Sequence, residues 1–139
     1  MAIERWTLLY DADCGFCKWI VSGVLAWDRH NRVVPRALQS AQAQALLSDL
    51  SPEERLASVH LISPDGERLS GGSVPAPLLR LLPGGTIPAL AIARLPRLTS
   101  RAYNWVAKHR SQLSRAVPTA IKRRASARVS RAEIERAVN

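Results

Sequence analysis

The segment WTLLYDADCGFC, residues 6–17, decides the fold that this sequence predicts. It opens with a short apolar run of strand formers, Trp6–Tyr10, which is typical of a buried strand near the centre of a sheet. From residue 14 to about residue 27, apolar residues recur at spacings of three and four, which predicts an amphipathic helix. Asp11 or Asp13 is available as the cap of that helix. The segment is therefore a strand, a short turn and a helix that starts with two cysteines.

The rest of the chain continues this alternation of strands and helices. Residues 33–37 are a second strand candidate, and Pro35 favours an edge position or a strand end because proline cannot donate a hydrogen bond to a neighbouring strand. A third strand is predicted at residues 59–62, followed by a Ser-Pro-Asp-Gly turn and an antiparallel return at residues 67–69. Helical patterns separate the first three strands and fill most of the chain after residue 75. This order predicts an α/β protein with extra helices toward the C-terminus.

Length and composition indicate a single globular domain. The chain has 139 residues, of which 47% are hydrophobic and 22% are charged, and these values exclude wholesale disorder and a fibrous architecture. No run of about 18 uncharged apolar residues occurs, and the first residues lack the pattern of a secretory signal. We therefore expect a cytoplasmic protein.

Positive charge is concentrated in the last third of the chain. The net charge is +9, and residues 94–139 carry 12 Lys and Arg against 2 Asp and Glu. Few apolar residues follow residue 114, so the sequence predicts a domain at residues 1–114 and a basic, loosely attached tail at residues 115–139. A basic tail can make weak contacts with nucleic acid or an anionic membrane, although a solvated basic surface is the simpler interpretation.

Cys14 and Cys17 are the only cysteines, and their spacing is the most informative feature for function. Two cysteines three residues apart at a helix start are close enough to form a disulfide. The first lies where free backbone N–H groups and the positive end of the helix dipole favour a thiolate. Cys14 is thus the candidate nucleophile and Cys17 the candidate resolving thiol. Lys18 would assist the thiolate, whereas Asp11 and Asp13 would oppose it.

The sequence also allows other interpretations of these residues. The cysteines are also compatible with a buried structural pair, or with a partial zinc site completed by a histidine or a second chain. Asp11 is a candidate proton acceptor for Cys17, and its alternative role is that of a helix cap or turn former. Phe16, between the cysteines, is expected to be partly exposed and available to a partner.

The segment Tyr-Asp-Ala-Asp-Cys-Gly-Phe-Cys at residues 10–17 resembles the signature of the DCC family of predicted thiol-disulfide oxidoreductases, which are thioredoxin-like proteins. Similar later patterns are Pro-Asp-Gly at 64–66, Gly-Gly-Ser at 71–73, Leu-Leu-Pro-Gly at 81–84 and Tyr-Asn-Trp-Val-Ala at 103–107. The resemblance covers about residues 5–114. It implies a thioredoxin-like fold with a central mixed sheet of about four strands flanked by helices, and Asp11, Cys14 and Cys17 match the residues for which the family is named.

One departure concerns the strand that faces the cysteines. Thioredoxins proper carry a cis-proline before that strand, whereas Ser58 and Val59 occupy the place here. The sequence as a whole predicts a thiol-disulfide oxidoreductase that acts on a disulfide-containing protein or a small thiol substrate, with no bound cofactor and no metal. The alternative is a non-enzymatic, thioredoxin-like binding module whose basic tail docks on nucleic acid or an anionic membrane.

Overall fold

A single mixed sheet forms the centre of the protein. The computed structural model describes residues 4–138, in which the strands are β1 (Trp6–Tyr10), β2 (Val33–Ala37), β3 (His60–Ile62) and β4 (Arg68–Ser70). Their order across the sheet is β2-β1-β3-β4, with β1 parallel to β2 and the other two pairings antiparallel. The first strand is thus interior, and the strand that contains Pro35 is an edge, as the sequence predicts. The α/β, thioredoxin-like fold is confirmed.

Helices pack on both faces of this sheet. They are α1 (Gly15–Trp27), α2 (Ala41–Leu46), α3 (Pro52–Ala57), α4 (Pro75–Arg80), α5 (Thr86–Arg94), α6 (Pro96–Ala116) and α7 (Thr119–Val138), with a 3-10 turn at Gly71–Ser73. Ser51 caps α3 by accepting a hydrogen bond from the backbone N–H of Glu54 at 3.2 Å. Within residues 4–138, no helix is long and apolar enough to cross a membrane.

The alternation of side chains along β1 creates two apolar clusters. Leu8 and Tyr10 point to one face and Leu9 to the other, because successive residues of a strand project to opposite sides. The larger cluster contains buried residues of β1, β2 and β3 together with residues of α1 and α7. The smaller cluster lies against α2 and contains Leu47. The strand that precedes the cysteines is therefore fixed from both faces.

The expectation of a loosely attached tail at residues 115–139 is wrong for the residues that the structure describes. Helix α6 continues past residue 114 to Ala116, and α7 packs along α1 and β2. Ala125, Val129 and Ala132 of α7 are buried in contact with the domain. Their spacings of four and three form one narrow apolar stripe in a strongly basic segment, which is why composition alone does not show it. Asn139 lies outside the described residues.

An internal ion pair fastens the end of α7 to the sheet. Nη1 of Arg136 donates to Oδ2 of Asp28 at 2.8 Å and to the carbonyl of Val33 at 2.7 Å. The Asp28 side chain is fully buried, and it also accepts backbone N–H bonds from Arg32 and Val33 at 3.1 and 2.8 Å. A buried carboxylate is tolerated only where such partners surround it.

We predict that Arg136→Met destabilises the protein by about 3 kcal/mol, because removing one partner leaves a buried charge without its counterion. The measurement is the free energy of unfolding from urea denaturation. Arg124→Met is the matched control, since Arg124 is an exposed arginine of the same helix. Equal stability of the two variants would contradict the structural role of the Arg136–Asp28 pair.

Candidate active site

The site is built where β1 ends and α1 begins. Asp11 forms the turn: its Oδ1 accepts from the N–H of Asp13 at 2.9 Å, and its carbonyl accepts from the N–H of Cys14 at 3.2 Å. The N-cap of α1 is Cys14 itself, whose Sγ accepts from the N–H of Cys17 at 3.3 Å. The prediction of an aspartate cap is thus wrong, and Asp11 is a turn former instead. Because Cys14 is the cap, a sulfur lies where the first backbone N–H groups of the helix lack a partner within the helix.

The two cysteines are in contact and are not joined by a disulfide. Their Sγ atoms lie 2.7 Å apart, with the thiol of Cys17 donating to the sulfur of Cys14. Cys14 therefore receives two hydrogen bonds from one residue, one from a thiol and one from a backbone N–H. Hydrogen bonds directed at a sulfur favour its charged form.

This arrangement separates the acidities of the two thiols. The hydrogen bond from the thiol of Cys17 is the main cause that lowers the pKa of Cys14 to about 6, against the opposing effect of burial. The backbone N–H of Cys17 and the positive charge of Arg110 act in the same direction. The pKa of Cys17 is raised, first because its proton is held by Cys14 and then by burial and the negative charge of its partner.

Arg110 of α6 is a site residue that the sequence does not indicate. Its Nη1 lies 3.7 Å from Oδ2 of Asp11, and its charge lowers the pKa of both cysteines. Oδ1 of Asp11 also accepts from Nε2 of Gln39 at 2.8 Å. Lys18, which the sequence suggests as the assisting cation, instead directs its amine to Oγ of Ser126 at 3.3 Å. Almost 100 residues separate Arg110 from Asp11 in the sequence, so only tertiary packing brings them together.

A comparison with known families identifies the family of this chain. The family model described as DCC1-like thiol-disulfide oxidoreductase matches residues 8–116, which run from β1 to the end of α6 and include both cysteines. The chain belongs to this family. The match confirms the resemblance indicated by residues 10–17, and it leaves α7 outside. No curated protein and no solved structure matches the chain.

In this DCC1-like chain, a tyrosine hydroxyl forms a hydrogen bond with the backbone just before β3, where thioredoxins carry a cis-proline. The hydroxyl of Tyr103 accepts from the N–H of Val59 at 2.9 Å, and the carbonyl of Val59 accepts from the N–H of Gly71 at 3.0 Å. No cis peptide bond occurs among residues 4–138. Both backbone groups of Val59 are therefore used inside the domain. Tyr103 lies in a segment that resembles the family pattern, but no sequence signal gives it this contact.

A cavity of about 700 Å³ opens beside Cys17. It lies between α1, α4, α5 and α6, and the residues from α1 that line it are Phe16, Cys17 and Ile20. Phe16 is partly buried, and its ring centroid is 5.9 Å from that of Trp19. The site of the DCC1-like protein thus combines a polar corner at the cysteines with an apolar recess.

The described residues of this DCC1-like protein offer no ready metal centre. Among residues 4–138, no group of three or more His, Cys, Asp or Glu side chains is arranged to hold a metal ion. His60, in β3, is buried and makes contacts to Oγ of Ser70 at 2.6 Å and to the carbonyl of Arg55 at 3.0 Å.

We predict that alkylation of Cys14 by iodoacetamide reaches half of its maximal rate near pH 6, because only the thiolate reacts and the rate rises as the thiol loses its proton. Cys17→Ala removes the donating thiol and should raise this midpoint by about one pH unit or more. Cys17→Ser keeps a hydroxyl donor and is the matched control. The measurement is peptide mass spectrometry of Cys14 labelling across pH. A wild-type midpoint near 8.5, the ordinary cysteine value, would contradict the hydrogen-bond account.

Proposed function

We propose that this DCC1-like protein reduces or exchanges disulfides, with Cys14 as nucleophile and Cys17 as resolving thiol. One observation carries the proposal: the sulfur of Cys14 accepts both the S–H and the N–H of Cys17 while the two Sγ atoms are 2.7 Å apart. The hydrogen bonds favour the thiolate that attacks, and the contact keeps the second thiol ready to resolve the mixed disulfide. Membership of the family supports the same redox role.

The exchange would proceed in two substitutions at sulfur. The Cys14 thiolate attacks one sulfur of the substrate disulfide, whose S–S bond breaks and releases the first product as a thiolate. Cys17 then loses its proton and attacks Sγ of Cys14, which releases the second product and leaves a Cys14–Cys17 disulfide. Two electrons pass from the dithiol to the substrate. A cytoplasmic location belongs to the same proposal, because reducing compartments maintain such dithiols.

Asp11 is our candidate for the group that accepts the proton of Cys17. Asp11 lines the same cavity as Cys17, and its negative charge raises the pKa of that thiol. A thiol whose proton is held this firmly needs a nearby base before it can attack. The ion pair of Asp11 with Arg110 at 3.7 Å would stabilise the carboxylate between turnovers.

The alternative, a thioredoxin-like binding module, requires two inert thiols with ordinary acidity. The lowered pKa of Cys14 favours the enzyme. A contact with nucleic acid or an anionic membrane stays a separate prediction. It rests on the exposed arginines of α7, which are Arg123, Arg124, Arg128 and Arg131. That contact would coexist with the redox function, because α7 lies outside the family match.

With glutathione disulfide as substrate, Cys17→Ser should accumulate a stable glutathione adduct on Cys14, because the resolving thiol is missing. Wild-type protein should instead lose two hydrogens and form the internal disulfide. Cys14→Ser should react at least about tenfold more slowly, because it lacks the thiol of lowered pKa and burial still disfavours the thiolate of Cys17. Intact-protein and peptide mass spectrometry report all three results. Adducts found mainly on Cys17 would contradict the assigned roles.

Asp11→Asn should slow resolution of the mixed disulfide and leave the first attack by Cys14 nearly unchanged. The measurement is stopped-flow detection of the two phases with a chromogenic disulfide, at matched folded fractions. Asp13→Asn is the control, because Asp13 belongs to the same turn and does not line the cavity beside Cys17. If Asp11 is only a turn former, Asp11→Asn should cost about 1 kcal/mol of stability or less and leave resolution unchanged.

A further inference from the structure

The cavity beside Cys17 has the size and the surface of a small-molecule site. Pockets that enclose small ligands are typically about 300–1,000 Å³ and are mainly apolar with a few polar groups, and this cavity of about 700 Å³ falls in that range. Its walls include apolar residues of α4, α5, α6 and the junction between α5 and α6, namely Pro75, Leu78, Leu79, Ile92, Leu95 and Leu98. Leu95 and Leu98 are 53% and 61% exposed, so the recess presents apolar surface to solvent.

The polar side chains in the wall are largely engaged by the protein itself. The hydroxyl of Thr99 donates to the carbonyl of Leu95 at 2.9 Å, and that of Tyr10 donates to Glu133 at 2.9 Å. The hydroxyl of Tyr103 accepts from the backbone N–H of Val59. The charged groups Asp11 and Arg110 lie together beside the cysteines. A ligand in the recess therefore meets carbon along most of its length and polar groups at the sulfur end.

The same contacts disfavour a peptide backbone as the occupant. An extended peptide binds at a strand edge through free N–H and C=O groups. Val59, which lines the cavity just before β3, has its N–H bonded to Tyr103 and its C=O bonded to Gly71. The wall next to Cys17 therefore presents apolar surface to a ligand, and the backbone N–H and C=O groups of Val59 are not available to pair with a peptide.

We propose that the substrate of this dithiol is a small apolar disulfide, R–S–S–R′, whose hydrocarbon group R occupies the cavity between α1, α4, α5 and α6. The proposal rests on the function proposed above and names its substrate class. The Cys14 thiolate attacks the sulfur that carries R, and R′–S⁻ leaves. Cys17 then attacks Sγ of Cys14, R–S⁻ leaves, and the proton of Cys17 ends on a released thiolate. The disulfide gains two electrons, and the protein dithiol becomes a disulfide.

Alkyl 2-pyridyl disulfides with methyl, butyl and octyl chains test this specificity in the full-length protein. The released pyridine-2-thione is followed by absorbance, and each rate constant is divided by that of N-acetylcysteine with the same reagent. Burial of a methylene group is worth up to about fourfold, so the normalised rate should rise at least about tenfold from methyl to octyl. Equal normalised rates for the three chains would overturn the proposal.

Neighbouring alanines of α5 supply a matched pair of variants. Ala91 lines the cavity and Ala93 does not, and both are exposed, so either can become tryptophan without disturbing the core. Ala91→Trp should fill the recess and abolish the chain-length preference, whereas Ala93→Trp should retain it. Ala102→Trp, on α6, repeats the test from the opposite wall. A preference that persists in both cavity variants would overturn the assignment of the site.

Binding of N-phenyl-1-naphthylamine, an uncharged apolar fluorophore, separates this proposal from the redox function. Wild-type protein and Ala93→Trp should bind it, and Ala91→Trp and Ala102→Trp should bind at least about tenfold more weakly. Binding that is absent, or equal in all four proteins, overturns the apolar site even if disulfides are reduced. Cavity-dependent binding without reaction of any disulfide supports the site, but it rejects the redox function and with it the substrate assignment.

Discussion

The sulfur of Cys14 at the start of α1 is the feature on which the site depends. A helix begins with backbone N–H groups that lack partners, and here one of them is satisfied by a thiol sulfur rather than by a hydroxyl or carboxylate. The same sulfur accepts the thiol hydrogen of Cys17. One atom therefore starts the helix and holds the charge that disulfide exchange requires. The hydrogen bond from the N–H of Cys17 therefore serves both the start of the helix and the stabilisation of a thiolate.

The surrounding fold keeps that atom in place from two sides. Below it, β1 is an interior strand with Leu8 and Leu9 buried on opposite faces. Beside it, α7 packs on α1 and is held to the sheet by Arg136. The approach is close at Gly15, where an added Cβ would lie 2.7 Å from Cδ of Lys122, so a side chain at this position would require the Lys122 side chain to shift. The basic C-terminal helix is thus a structural support of the cysteine loop.

Electrostatics at the site reflect a balance between burial and partners. Burial disfavours the thiolate at both cysteines, and Arg110 opposes this penalty at each. The hydrogen bond between the two sulfurs then lowers the pKa of Cys14 and raises the pKa of Cys17. An apolar recess of about 700 Å³ lies next to this pair, and it is the place where we propose that a hydrocarbon group binds. The polar corner and the apolar recess therefore suit one ligand with a reactive sulfur end.

The sequence by itself determined the local features: the β1 strand, the helix after it, the edge position of Pro35 and the Cys14–Cys17 pair. These depend on periodicity, backbone chemistry and short spacing, all of which a sequence displays. Tertiary structure alone decided which atom caps α1, because Asp11, Asp13 and Cys14 are all near enough. It also brought in Arg110 and Tyr103 and buried one narrow stripe of α7 within a basic segment. Such contacts join residues far apart in the chain, and their partners are defined only once the helices have packed.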